Sequence, residues 1–398
     1  MLKLRTVTIF LLFTVYFLLF NKVSAQDSSR LRISLLTCTP GDELYSTFGH
    51  SAFRIIDSSK AFNDWRDVVY NYGTFSFDDD GFYLKFVQGK LLYYVSATGF
   101  EDFKYDYQST NRGITEQVLN LSAAEKITVQ NFLNNNLKEE NKFYKYDFFF
   151  DNCTTRLRDI LKNQHDSAFS QVAVLPVGSR FRQAIHQYLD KNNKDWSKLG
   201  IDILLGQPCD GVMTAADMQF LPDNLMKSLD SSNHPMVVSS QNLYTITHEN
   251  EKGSFFTPFV VFSLLAIFIV LIGYSKNKFA QAFLYGFDGL FFFLTGVLGI
   301  ILIFMWVGTD HSMTKNNFNL IWAWPTHTIM AFFVNSPKDA VHKKAWVKKY
   351  FKFTVVALLA VLISWFFLPQ QMNNALIPII LLLIYRSIKK SLATDYTN

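Results

Sequence analysis

Cysteine is scarce in this chain of 398 residues: Cys38, Cys153 and Cys209 are the only three. They allow at most one disulfide, and if Cys38 pairs with Cys209 then Cys153 is left over. Histidine is thin as well, with only His50, His165, His186, His234 and His248 in the first 250 residues. No basic stripe with interleaved aromatics occurs there, which argues against nucleic acid as a partner. There is no internal repeat and no long low-complexity tract. "FDDDG" at 77–81 lacks the remaining spacing of a calcium loop, and reads as a solvated turn. His50 and Cys153 would need two further ligands to hold zinc, and the sequence does not supply them. No metal and no cofactor is expected.

What the chain has in excess is apolar surface: 49% hydrophobic residues and 40 phenylalanines. Residues 1–25 read as a secretory signal, with Lys3 and Arg5 ahead of "TVTIFLLFTVYFLLF" and small residues ending at Ala25. From about Phe255 five apolar stretches follow: 255–273, 283–307, 319–334, 353–368 and 374–385. The second is long enough to span a bilayer outright; the third and fifth are short, suited to tilted or partly re-entrant segments. Lysines and arginines follow the first, third and fifth stretches (Lys276 and Lys278; Lys338 to Lys352; Arg386, Lys389 and Lys390). The loops after the second and fourth hold only Lys315. Positive residues collect on the cytoplasmic side. The pattern therefore predicts an exported domain at 26–250, then an all-α membrane domain at 251–398 with about five spans and a cytoplasmic C-terminus. The net charge of +5 belongs mostly to these anchors.

Within 26–250 the pattern is α+β. "LRISLLTCT", "SAFRIID", "DVVYNYGTF" and "KLLYYVSAT" are rich in β-branched and aromatic residues and read as strands, the last three antiparallel in succession. "LSAAEKITVQNFLNNNLK" is a helix with Ser122 as cap and Glu125 three residues on. "NCTTRLRDILKN" and "GSRFRQAIHQYLDK" are two more helices. "SLDSSNHPMVVSSQN" reads as a polar linker toward the membrane.

Chemistry concentrates at "YKYDFFFDNCTTRLRDI". Cys153 falls at about the first helical position, with Asn152 or Asp151 as N-cap. A helix N-terminus favours thiolate, and its free amides can donate to an oxyanion. Arg156, one turn on, adds positive potential. The rival reading is an inert thiol buried under Phe148, Phe149 and Phe150. A nucleophilic thiolate needs a base, and His50, opening a strand after Gly49, is the best placed histidine. Arg54, Arg112, Tyr105 and Tyr146 are candidates for contact with phosphate or carbonyl oxygen, with structural ion pairs the alternative for the arginines. The loop at 308–319 carries Asp310 and His311 beside Trp306, Trp322 and Trp324. It is either a headgroup-binding floor or a solvated turn in an aromatic belt.

A strand-opening histidine, a polar residue on the next strand and a helix-opening cysteine downstream is also the chain order of circularly permuted papain-like folds, relatives of NlpC/P60 enzymes. The phrases "LLTCTPGDELYSTFGHSAFRI", "VVYNYGTFSFDDDGFYLKFVQGKLLYY", "NRGITEQVLNLS", "YKYDFFFDNCTTRLRDIL", "FLPDNL" and "TDHSMTKNNFNLIWAWP" resemble Lnb-type bacterial lipoprotein N-acyltransferases, over nearly the whole chain. The resemblance implies transfer of a phospholipid acyl chain through a Cys153 thioester to the α-amine of a diacylated lipoprotein. It also implies that His50 is the base, that Asn71 (with Tyr72 as rival) orients it, and that the enzyme sits in the inner membrane with its catalytic domain in the periplasm. The three phenylalanines would then form an apolar wall for the acyl chain. The competing reading is a papain-like cysteine peptidase or amidase acting on cell-wall peptide.

Overall fold

The computed structural model describes residues 30–60, 66–164, 167–246, 253–334 and 344–392. The expected signal segment, His165 and His248 lie outside the described residues. Strands β1 (Leu31–Cys38), β2 (His50–Asp57), β3 (Asp67–Thr74), β4 (Leu92–Gly99), β5 (Ile114–Leu119), β6 (Phe143–Lys145) and β7 (Val237–Tyr244) form one sheet in the order β6-β4-β3-β2-β1-β5-β7. Every neighbouring pair is antiparallel. Between and after the strands come α1 (Phe82–Gln88), α2 (Phe100–Ser109), α3 (Ala123–Asn136), α4 (Cys153–Gln164), α5 (Phe181–Lys191), α6 (Asp195–Leu204), α7 (Ala215–Met218) and α8 (Pro222–Asp230).

The strands alternate, but both faces are apolar because helices cover both. On one face Ile33, Leu35, Phe53 and Ile55 pack with Val129 and Leu133 of α3, Leu157 and Leu161 of α4, and Leu225 of α8. Each such side chain, fully buried, contributes roughly 1.5–3 kcal/mol. On the other face Leu36, Cys38, Ala52 and Val69 meet Phe100 and Phe103 of α2. Helix α3 starts at the expected capping box: Ser122 Oγ accepts from the Glu125 amide, and Glu125 Oε2 accepts from the Ser122 amide at 2.7 Å. The stretch expected as a polar linker departs from that reading. Its first part belongs to α8, and Val237–Tyr244 is an edge strand on β5, mostly exposed. Polar side chains hide such a strand in the sequence, and the partner's open backbone groups create it.

The C-terminal part is helical: α9 (Pro258–Ile272), α10 (Lys278–Val307), α11 (Thr326–Met330), α12 (Lys344–Ser364) and α13 (Ile377–Leu392). Helix α10 and the segment Ala345–Phe367 are long and apolar enough to cross a membrane; α9 is apolar but shorter. The expected third span at 319–334 instead folds as a short 3-10 turn and the five-residue α11. Pro325 interrupts it, and its backbone lies hard against α10, where a Cβ on Gly296 or Gly299 would collide with Thr328 or Ala323.

A polar joint ties the two parts together. Helix α6 ends with carbonyls that have no partner within the helix, and membrane-domain side chains supply the donors. Asn317 Nδ2 donates to Ile203 O at 2.8 Å, Asn319 Nδ2 to Asp202 O at 3.2 Å, and Gln370 Nε2 to Leu205 O at 3.1 Å. The Asp202 carboxylate, itself buried, accepts from Arg182 and His186 on one oxygen and from Asn373 on the other.

Candidate active site

The start of α4 is set by side chains on either side of it. Asp147 and Asp151 pair through their backbones in both directions, and Asp147 Oδ1 accepts from the amides of Phe149 and Phe150. Asn152 is the N-cap: its Oδ1 accepts from the amides of Thr154 and Thr155, both at 2.8 Å. Its Nδ2 donates to Phe148 O and Phe220 O, so the cap is locked in place. Such a cap is worth roughly 1 kcal/mol. Cys153 is then the first helical residue and is half-buried. With Thr154 and Thr155 committed to Asn152, the Cys153 amide is the first-turn N–H left to donate elsewhere.

His50 opens β2 directly across the ladder from Cys38, and its ring lies beside the Cys153 thiol, close enough for each group to shift the other's titration. The other side of the ring is held by Asn71, whose Oδ1 lies 3.2 Å from His50 Nε2; that leaves Nδ1 for the sulfur. Asn71 sits where the β3–β4 register slips. The slip brings Gly73, at φ +88°, under the thiol, where a Cβ would touch Cys153 Cβ and the Tyr146 ring at 3.7 Å. Only glycine takes that backbone conformation without strain.

Burial alone would push the Cys153 thiol up. The charge and hydrogen bond of His50, the Ser51 amide and the Thr154 hydroxyl outweigh it and lower the thiol to about 7. For His50, burial disfavours the imidazolium, but Cys153 and Asn71 together raise it above the ordinary histidine value. Each group thus stabilises the charged form of the other. Cys38 and Cys209 are different: burial pushes both up to about 12. They lie in separate clusters and both are free thiols, so the disulfide considered for them is not formed.

The remaining candidates separate into two groups. Tyr146 stacks on Tyr93 at 4.4 Å and flanks the thiol; Arg112 lies beside the dyad, where its charge opposes protonation of His50. Its Nε donates to Thr39 O and its guanidinium stacks on Tyr107. The others are engaged elsewhere. Arg54 is paired with Asp67 and Glu116 and lies over the Phe100 ring. Arg156 makes a bidentate pair with Asp151 and lies over Tyr144, so its charge is spent locally. Tyr72 is buried in the core with its ring against Tyr144, and Tyr105 is exposed. Of the three phenylalanines, Phe149 is core and Phe148 packs on Phe48 and Phe220; only Phe150 is exposed. The wall expected from them is mostly the inside of the domain. His186 is bonded to Asp202, and His234 is exposed.

In the outer loop, Asp310 pairs with Lys145, its amide donates to Gln88 O, and His311 Nε2 bonds Phe86 O. The loop is docked on the catalytic domain rather than turning freely in solvent. Ser51, Gly73, Thr154 and Asp147 escape the sequence reading; only Gly73, two residues after Asn71 in a strand of aromatics, leaves a local sign. Among the described residues no group of three or more His, Cys, Asp or Glu side chains is arranged to hold a metal ion.

Fold and site define a membrane protein whose N-terminal α+β domain brings together a cysteine at a helix start and a histidine held by an asparagine. Residues 22–190 match the Lnb N-terminal periplasmic domain and residues 249–397 the Lnb transmembrane domain. The chain therefore belongs to the Lnb family, membrane enzymes of lipoprotein maturation with a periplasmic N-terminal domain. Lipoprotein and membrane lipid are accordingly its partners. No curated protein and no solved structure matches the chain.

Proposed function

We propose that the protein is a lipoprotein N-acyltransferase that moves an acyl chain from a phospholipid to the α-amine of a diacylated lipoprotein through a thioester on Cys153. The observation that carries this reading is the placement of Cys153 as the first residue of a capped helix, beside a His50 ring held by Asn71; the two groups each favour the charged form of the other. The thiolate attacks the ester carbonyl carbon, and the carbonyl oxygen takes the negative charge. The free Cys153 amide is placed to donate to it, reinforced by the helix N-terminus. On collapse the carbon–oxygen bond breaks, and His50 gives its proton to the departing lysophospholipid oxygen. The acceptor amine then attacks the thioester, forming the amide as the carbon–sulfur bond breaks. His50, now neutral, takes the proton that the amine loses. Asn71 keeps the ring turned so that Nδ1 faces the sulfur in both halves.

A neutral partner suits this role, because a carboxylate in its place would hold the imidazolium proton more tightly than a donor should. The order His50, Asn71, Cys153, with the cysteine helix laid against the sheet, fits a permuted papain-like domain. Tyr146 and Arg112 would border the donor's ester and headgroup. The enzyme would work in a bacterial inner membrane, its catalytic domain on the periplasmic side.

Intact-mass spectrometry of the full protein in phospholipid nanodiscs, with acceptor withheld, tests this. An acyl adduct is expected on Cys153, lost in Cys153→Ala and released by hydroxylamine. Absence of the adduct together with cleavage of wall peptides would replace the reading with a peptidase.

A further inference from the structure

The outer loop meets the catalytic turn at one side chain. Ser312 Oγ donates to Asp147 Oδ2 at 2.8 Å, while Oδ1 of the same carboxylate accepts the amides of Phe149 and Phe150 at 2.9 and 3.1 Å. Asp147 is also backbone-paired with Asp151, the residue before the Asn152 cap and two before the thiol. A single carboxylate therefore ties the membrane domain's loop to the turn from which α4 starts. Three further bonds pin the loop on the same side, Lys145 to Asp310, the Asp310 amide to Gln88 O and His311 Nε2 with Phe86 O. A shift of the turn by a few tenths of an ångström is passed to a cysteine whose reactivity depends on its placement beside His50 and Ser51.

We infer that Ser312 and Asp147 are positioning residues through which the membrane domain holds the Cys153 thiol in line with His50, making full reactivity conditional on the docked loop. The inference rests on Cys153 being the nucleophile of the reaction above. A contact that served only to dock the domains would change stability and leave the thiol's chemistry alone.

Iodoacetamide alkylation of Cys153 against pH in the full-length protein in nanodiscs separates the two. For the native protein the midpoint is expected near 7. In Ser312→Ala it moves up by about half a unit or more, and acyl-enzyme forms about tenfold more slowly, the loss of one hydrogen bond to a charged acceptor. Ser312→Thr restores both. Asp147→Asn stays close to native, because its amide can donate to the serine oxygen while its carbonyl keeps the two backbone amides; Asp147→Ala behaves like Ser312→Ala. Midpoint and acylation rate within twofold of native in Ser312→Ala, with only a lower melting temperature, would overturn the inference. The alkylation midpoint reads Cys153 whatever the substrate, so a failure of the acyl-transfer reading shows separately, as absence of the acyl adduct in the native protein.

Discussion

In the proposed reaction Cys153 and His50 act as a charged pair, and each is shifted in the direction that makes the pair possible. The thiol is lowered to about 7, so thiolate is gained as pH rises through that value. The imidazolium is raised above its ordinary range, so its proton is kept until a higher pH is passed. Single-turnover acylation followed from about pH 5 to pH 10 is therefore expected to climb through about 7 and to fall only beyond the raised histidine value. Asn71→Ala removes one of the influences that raise His50, and the falling limb should move to lower pH. A profile with no rise between pH 6 and 8 would contradict the pairing. Cys153 and His50 are legible in the sequence because each stands at the end of an element, where a polar side chain is conspicuous; Asn71 is reached only through the resemblance, since the register slip at which it sits shows in the structure alone. Arg54 and Arg156 are not legible in the same way. Their partners Asp67, Glu116 and Asp151 answer to tertiary placement, and a lone arginine gives no sign of whether its charge is already spent.

Among the elements, alternation and caps reveal β1 to β4 and α3, and the helix at Cys153 shows through its polar start and aliphatic face. What hides is whatever a neighbour induces: β7, made by the open edge of β5, and the turn at 318–330, which has the composition of a span without its geometry. Helices α10 and α13 show the opposite case, where a charge in an apolar run reports a contact. Asp288 of α10 makes a bidentate pair with Arg386 of α13, at 2.6 and 2.8 Å, and a further bridge to Lys390. All three oxygen–nitrogen contacts are inside the helical core, where an unpaired charge is costly. Asp288→Leu, which leaves the buried Arg386 guanidinium without its carboxylate, should destabilise the protein by about 3–5 kcal/mol. Thermal unfolding in detergent reads this, and Asp288→Leu combined with Arg386→Leu should recover much of the loss. Equal stability of the single variant and the native protein would mean that the triad is solvated.

For the whole molecule, the joint at Asp202 and the loop at Asp310 and Ser312 make one unit of two parts that look separable in sequence. The composition change near Phe255 is plain, while the amides that cross it (Asn317, Asn319, Gln370 and Asn373) read as ordinary loop residues. Their carbonyl and carboxylate partners lie more than 100 residues away. Cutting the chain at the boundary would leave the end of α6 with unanswered carbonyls and the buried Asp202 short of a donor. The three free thiols carry a different consequence, for life in an oxidising compartment. With no disulfide to form, the protein can mature without an oxidative folding catalyst, and two of its thiols are inert because burial keeps them protonated. Among the three thiols Cys153 alone is a ready target for peroxide or electrophile. Brief exposure of the native protein to a limiting maleimide should give one modification, mapped to Cys153, with no need to remove the other two cysteines; labelling of Cys38 or Cys209 at a comparable rate would refute this. On the proposed mechanism, the thiol that attacks the ester is thus also the thiol through which oxidation would inactivate the enzyme.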